Sequence, residues 1–149
     1  MVTKVESVLE GKNLKEIVAV RPETSVIDAL GVMEKYGVGA VLVMDGEDLR
    51  GIFSERDYAR KGIIKGRKAK STQMIEVMTH NVFTVELNKS IKECMEIMDT
   101  KGIRHLPVIN ENEKVVGVLS IRDIVNALIM EQRQHINFLE NYISGSIAG

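Results

Sequence analysis

Residues 51–57 read GIFSERD and residues 117–123 read GVLSIRD. The two stretches hold glycine, serine, arginine and aspartate in the same places, and the match runs on beyond them. Toward the N-terminus, Val43 matches Val108, Gly37 matches Gly102, Met33 matches Met98, Ser25 matches Ser90 and Val20 matches Val85, each pair 65 residues apart. The motif itself, from Gly51 with Gly117 to Asp57 with Asp123, repeats at 66. One residue is inserted where VMDGEDLRG faces VINENEKVVG, and turns tolerate insertion. Val26 and Ile91, Asp28 and Glu93, and Val38 and Ile103 are chemically similar pairs. The chain is an internal duplication, so each local signal can be read twice.

Both copies give the same signals. SVID (Ser25 to Asp28) and SIKE (Ser90 to Glu93) have the form of a capping box that opens a helix. Apolar residues follow at helical spacing, Val26, Leu30 and Met33 in one copy and Ile91, Met95 and Met98 in the other. Gly37 and Gly102 stand where a helix-ending glycine belongs. An apolar strand comes next (38–44 or 103–109), then a polar turn, a second strand (50–54 or 115–120) and a second helix from Ser54 or Ser120. Short strands around 17–20 and 82–85 precede the first helices. The unit is β-α-β-β-α, about 55 residues, too small to bury its sheet alone. The expected fold is α/β (α+β): two such repeats packed sheet to sheet as one pseudo-twofold module. The expected ranges are 8–65 for the first repeat, 66–76 for a linker, 77–127 for the second repeat and 128–149 for a helical extension.

The basic residues Arg60, Lys61, Lys65, Arg67, Lys68 and Lys70 cluster at and before the linker. A charge run of this kind reads first as a solvated surface, with phosphate holding as the alternative. The C-terminal segment, Ile121 to Ile143, reads as one long helix. Val125, Ile129, Ile136, Leu139 and Ile143 form a stripe of near-heptad spacing interrupted by Gln132, suited either to the protein's own body or to a subunit contact.

Composition excludes several classes. The chain has 149 residues, 44% hydrophobic, with 20 basic and 21 acidic side chains. A charge of −1 is not the basic field of a polyanion binder. Aromatic residues are 4%, without tryptophan, which argues against stacking platforms for single-stranded nucleic acid. The one cysteine, Cys94, allows no disulfide framework. No apolar run reaches the roughly 20 residues of a membrane span, and MVTKVESVLEGK has no signal-peptide core. A cytoplasmic protein that binds neither nucleic acid nor membrane is the expectation.

Three groups of residues could carry chemistry. Ser54-Glu55-Arg56-Asp57 and Ser120-Ile121-Arg122-Asp123 each sit where a strand becomes a helix, and a helix N-terminus suits an anion. There an aspartate can accept from the two hydroxyls of a ribose, and an arginine can pair with phosphate in fork geometry. The same Ser-x-x-Asp is also a plain capping box, and capping would repeat with the fold. Arg104-His105-Leu106-Pro107 opens an apolar strand with two basic residues, which places the strand start on a cleft or solvent. Pro107 removes a ladder N–H, leaving a backbone edge open to an adenine. The first copy has Gly39-Ala40-Val41-Leu42 there, so two sites would not be equivalent. His80 and His135 have no second ligand at metal spacing, Cys94 reads as core, and no catalytic motif is present. The expectation is a non-enzyme with no metal and no catalytic cofactor.

The duplicated unit resembles a pair of cystathionine-β-synthase (CBS) domains, a Bateman module. The resemblance covers roughly Val5 to Asn126 and rests on VMTHNVFTV (Val77 to Val85), IRHLPVI and the two GxxSxRD endings. FSERDYARK and LENYI also resemble small stand-alone bacterial CBS-pair proteins. It implies an adenosine-containing ligand held between the repeats: AMP first, then ATP, ADP or NAD(H). By motif position Asp57 and Asp123 would hold ribose hydroxyls with Ser54 and Ser120 beside them. Arg104, His105 and Arg122 would approach the phosphates of one site, and Arg56 is a further phosphate-binding candidate. Val82, Ile103 and Pro107 would sandwich adenine in one cleft. Val18, Val20, Ala40 and Val41, with Arg21 nearby, would line the other. It further implies a homodimer, a flat disc of four repeats, that senses energy state and acts on a regulated protein. Two rival readings are a ligand-free interaction module docking through its C-terminal helix, and a small enzyme acting on a nucleotide phosphate.

Overall fold

The computed structural model describes residues 2–12 and 17–148. Residues 13–16 of the expected first repeat and residue 149 of the expected extension lie outside the described residues. The elements run α1 (Val5–Glu10), β1 (Ala19–Val20), α2 (Val26–Tyr36), β2 (Ala40–Asp45), β3 (Asp48–Ser54) and α3 (Glu55–Asp57). A π-helical turn (Tyr58–Ile63) continues α3. Then come α4 (Met74–Val77), β4 (Val85–Glu86), α5 (Ile91–Lys101), β5 (His105–Ile109), β6 (Val115–Ser120) and α6 (Ile121–Ala148). The described residues form two three-stranded sheets, β1-β2-β3 and β4-β5-β6. In each, the first pair is parallel and the second antiparallel. This is the duplicated β-α-β-β-α unit.

The helix signals work as read, with one difference. Ser25 and Ser90 both cap their helices through the side-chain oxygen, accepting from Asp28 and Glu93 N–H at 3.2 and 3.1 Å. The reciprocal bond is found only in the second copy, from Ser90 N–H to the Glu93 carboxylate. Gly37 and Gly102 end the helices at φ 63° and 65°, where a side chain would be strained. The inserted residue falls in the β5–β6 turn, where Asn110 Oδ1 accepts from Asn112 and Lys114 N–H and Glu113 takes φ 61°.

Each sheet turns one face to its own core. Val41, Val43 and Phe53 join Val26, Ala29 and Met33, and Leu106, Val108 and Leu119 join Ile91, Cys94 and Met98. Side chains alternate along a strand, so Leu42 and Pro107, both buried, lie on the opposite faces. Burial of those second faces is what packing sheet to sheet achieves. Cross-repeat contacts accompany it: the His105 ring lies 3.9 Å from where a Cβ on Gly39 would stand, and Arg56 donates to the Gly102 carbonyl at 3.1 Å.

The sequence reading missed α1 and α4, which exchange the repeats' flanking segments. Met74, Val77 and Met78 are buried in the first repeat's core, and Val5, Val8 and Leu9 pack into the second's. Backbone bonds fix both: Val26 N–H to Thr72 O and Met74 N–H to Thr24 O on one side, Val5 N–H to Lys89 O and Ile91 N–H to Thr3 O on the other. The segment expected as a solvated linker is thus docked along its backbone, while Lys65, Arg67, Lys68 and Lys70 keep exposed side chains.

Candidate functional site

Both Ser-x-x-Asp motifs are capping boxes in the folded chain. Ser54 N–H donates to Asp57 Oδ2 at 2.9 Å and Ser120 N–H to Asp123 Oδ2 at 2.8 Å, with each serine Oγ accepting the aspartate N–H at 3.2 Å. The capping reading is therefore realised twice. Both carboxylates remain partly exposed, at 16% and 19% of the side chain, and so can be approached.

Each carboxylate also holds a lysine from another segment. Lys12 Nζ lies 2.8 Å from Asp123 Oδ2 and donates to the Val118 carbonyl at 2.7 Å. Lys61 Nζ lies 3.4 Å from Asp57 Oδ1, and Thr79 Oγ1 donates to that same oxygen at 3.3 Å. Sequence reasoning passed over Lys12 and Thr79 and counted Lys61 only among the linker charges. No sequence signal pointed to them, because Lys12 and Thr79 are far in sequence from Asp123 and Asp57 and meet them only in the folded chain.

His105 stands opposite Ser120 in the β5–β6 register. Burial pushes its pKa below 6.5, the Lys12 ammonium and Arg104 push the same way, and Asp123 and Asp57 oppose. In the ligand-free chain this favours the neutral ring, which lies within the fields of both motif carboxylates. Arg56 caps the C-terminus of α5 through the Gly102 carbonyl, where a cation is favoured by the helix dipole. Arg104 and Arg122 have exposed side chains.

The apolar residues divide. Pro107 is buried on the inter-repeat face, while Val82, Ala40, Val18 and Ile103 are half-buried. Val41 and Val20 point into the first core, at 1% and 8% exposure, so only their backbone can border a cleft. The Val18 carbonyl already accepts from Leu42 N–H at 3.1 Å. Cys94 is buried in the second core, and burial pushes its thiol up to about 11, which makes it inert. Among the described residues no cluster of His, Cys, Asp or Glu could hold a metal, and no helix is long and apolar enough to cross a membrane. Among the described residues, one groove of about 270 Å³ is bordered by Met95, Val125, Ile129 and Ile136 on α5 and α6, and another of about 550 Å³ by Leu30, Met33, Gly39, Glu55 and Tyr58, beside the first motif.

Comparison with known proteins agrees with this architecture. The CBS domain family model matches residues 12–63 and 74–130. The chain is 39% identical over 128 residues to the CBS domain-containing protein CBSX3, mitochondrial, of Arabidopsis thaliana, covering 83% of this chain and 62% of that one. It therefore spans about three fifths of that relative's length. A solved CBS-domain protein from Burkholderia ambifaria superposes with a TM-score of 0.83 at 41% identity, over 87% of this chain and 96% of that one. The CBS domain pair of protein MJ0100, solved with 5′-methylthioadenosine and S-adenosyl-L-methionine, superposes with a TM-score of 0.77 over 88% and 99%, at 23% identity.

Proposed function

Since this chain belongs to the CBS-domain family, we propose that it is a non-catalytic regulatory module that binds an adenosine-containing ligand between its repeats. AMP is the first candidate, and ATP, ADP and NAD(H) are the next. The observation that carries this reading is the placement of the two motif carboxylates. Asp57 and Asp123 stand at equivalent helix N-termini, each partly exposed, with the His105 ring in the field of both. A carboxylate so placed can accept from both hydroxyls of a ribose, and the exposed Arg104 and Arg122 flank the second motif for a phosphate. The MJ0100 pair, which shares the fold, was solved with two adenosine-containing molecules.

In this reading Asp123 and Ser120 hold ribose at one cleft, with Pro107, Val82 and Ile103 against adenine. Asp57 and Ser54 serve the other cleft, where Arg56 is engaged with the Gly102 carbonyl. The ligand would join segments of both repeats and shift the module between conformations, and a homodimer would relay that shift to a regulated protein. The compartment proposed is the cytoplasm. Thermal unfolding in the presence of AMP, ADP, ATP, NAD(H) and S-adenosylmethionine tests the reading. A ligand at 100 times its Kd stabilises by roughly 2.7 kcal/mol, and no shift with any of the five would overturn it.

One observation favours a second reading, a ligand-free interaction module. Lys12 and Lys61 already satisfy the two carboxylates. Native mass spectrometry separates the readings, because copurified nucleotide contradicts the second.

A further inference from the structure

Helix α6 is 28 residues long, about 42 Å, and only its first part rests on the molecule. Ile124 is buried in the second core, and Ala127 and Leu128 pack against it. From Gln132 to Gly145 every residue is exposed. A helical stretch of that length is marginal in water without packing, and this one carries Ile136, Phe138, Leu139, Tyr142 and Ile143 at 44–68% exposure. Something covers it.

The exposed apolar residues are ordered. Val125, Ile129, Gln132, Ile136, Leu139 and Ile143 follow one another at steps of four, three, four, three and four, the heptad alternation. Ile129, Ile136 and Ile143 fall at a, and Val125, Gln132 and Leu139 at d. Isoleucine at a with leucine at d, as Ile136 and Leu139 provide, is the two-stranded preference, and Gln132 is the one polar residue of the seam between 125 and 143. Near the body, the same seam borders the 270 Å³ groove that Met95 of α5 completes, a ready hole for a knob. Among the residues of α6 whose side chains are described, only Met130 and Phe138 are large, apolar and exposed off the seam and its flanks.

We infer that α6 pairs with α6 of a second copy of this chain as a parallel, in-register two-stranded coiled coil, with Gln132 meeting Gln132. The inference deepens the homodimer part of the proposed function and fixes an orientation that a disc of repeats alone does not. In-register strands bring identical d positions together, so position 139 reports directly. Leu139→Cys and Asn141→Cys, the latter pointing outward at f, are oxidised at micromolar concentration and compared on non-reducing gels. The native Cys94 is buried and does not compete. Cross-linked dimer should form at least tenfold faster through position 139 than through 141, and Ile136→Asp with Leu139→Asp should weaken the dimer at least tenfold by sedimentation. A dimer that cross-links equally at both positions, or survives the double substitution unchanged, overturns the coiled coil and leaves the disc dimer standing. A monomer at these concentrations overturns both.

Discussion

The Lys12 ammonium lies 2.8 Å from Asp123 Oδ2, joining the N-terminal segment to the carboxylate placed for ribose in the second repeat. Two roles compete for that oxygen: in the ligand-free chain it pairs with lysine, and in the complex it would accept from hydroxyls. Replacing Lys12 with Met keeps much of the apolar stem and removes the competitor. Adenosine, which has no phosphate to miss the lost cation, should bind Lys12→Met about threefold to tenfold tighter, a gain of about 0.7–1.4 kcal/mol. Titration calorimetry reads this, and weaker adenosine binding would show that Lys12 assists rather than competes.

Asp57 is more deeply committed to structure. Its carboxylate accepts from Ser54 N–H, Ser54 Oγ and Thr79 Oγ1 and pairs with Lys61. Asp57→Ala should destabilise the chain by about 1–3 kcal/mol through the lost hydrogen bonds to its carboxylate, lowering Tm by about 2–4 °C per kcal/mol. A melting curve unchanged from wild type would mean that α3 stands without its cap.

The His105 ring links stability to pH. Its folded pKa lies below the unfolded value near 6.5 because burial disfavours the charged form. The unfolded chain therefore binds the extra proton first on acidification, and stability falls as pH drops through 6.5 toward the folded pKa, then levels. His105→Gln should flatten that slope. Urea midpoints at pH 7.5 and 6.0 measure it, and identical slopes in the two proteins would remove His105 as the cause.

The exchanged helices give a graded test. A Cβ on Gly51 would stand 2.7 Å from Met78 Sδ and 2.9 Å from the Thr79 carbonyl, a backbone atom. A Cβ on Gly117 would meet only the end of the Leu9 side chain, at 2.9 Å. Gly51→Ala should cost about 1–3 kcal/mol, and Gly117→Ala less, because Leu9 can rotate away. Equal losses in thermal melts would contradict the closer docking of α4.

The duplication made the fold legible. Ser25, Gly37, Gly51 and Asp57 with their partners are short-range signals, and the agreement of two copies turned each into a boundary. The exchange of α1 and α4 was not legible, because helices of six and four residues show almost no periodicity and their docking is settled by distant partners such as Gly117 and Gly51. The site divides in the same way. Asp57 and Asp123 were visible as a motif, but Lys12 is 111 residues from Asp123 and meets it only in the folded chain. The side chain of Val41 faces the core and not the cleft, which the sequence could not show because residues 41–43 are all apolar and buried, leaving no alternation to read.

Titration calorimetry of AMP into the wild-type chain and into Asp123→Ala tests the central claim most directly. Hydrogen bonds to a charged group contribute about 1.5–3 kcal/mol. Saturable binding to the wild type, with a loss of about tenfold to a hundredfold at the affected cleft in Asp123→Ala, is the expected result. Equal binding by the two proteins would contradict the ribose role of Asp123, and no binding of AMP or the other four ligands by the wild type would contradict the sensor itself.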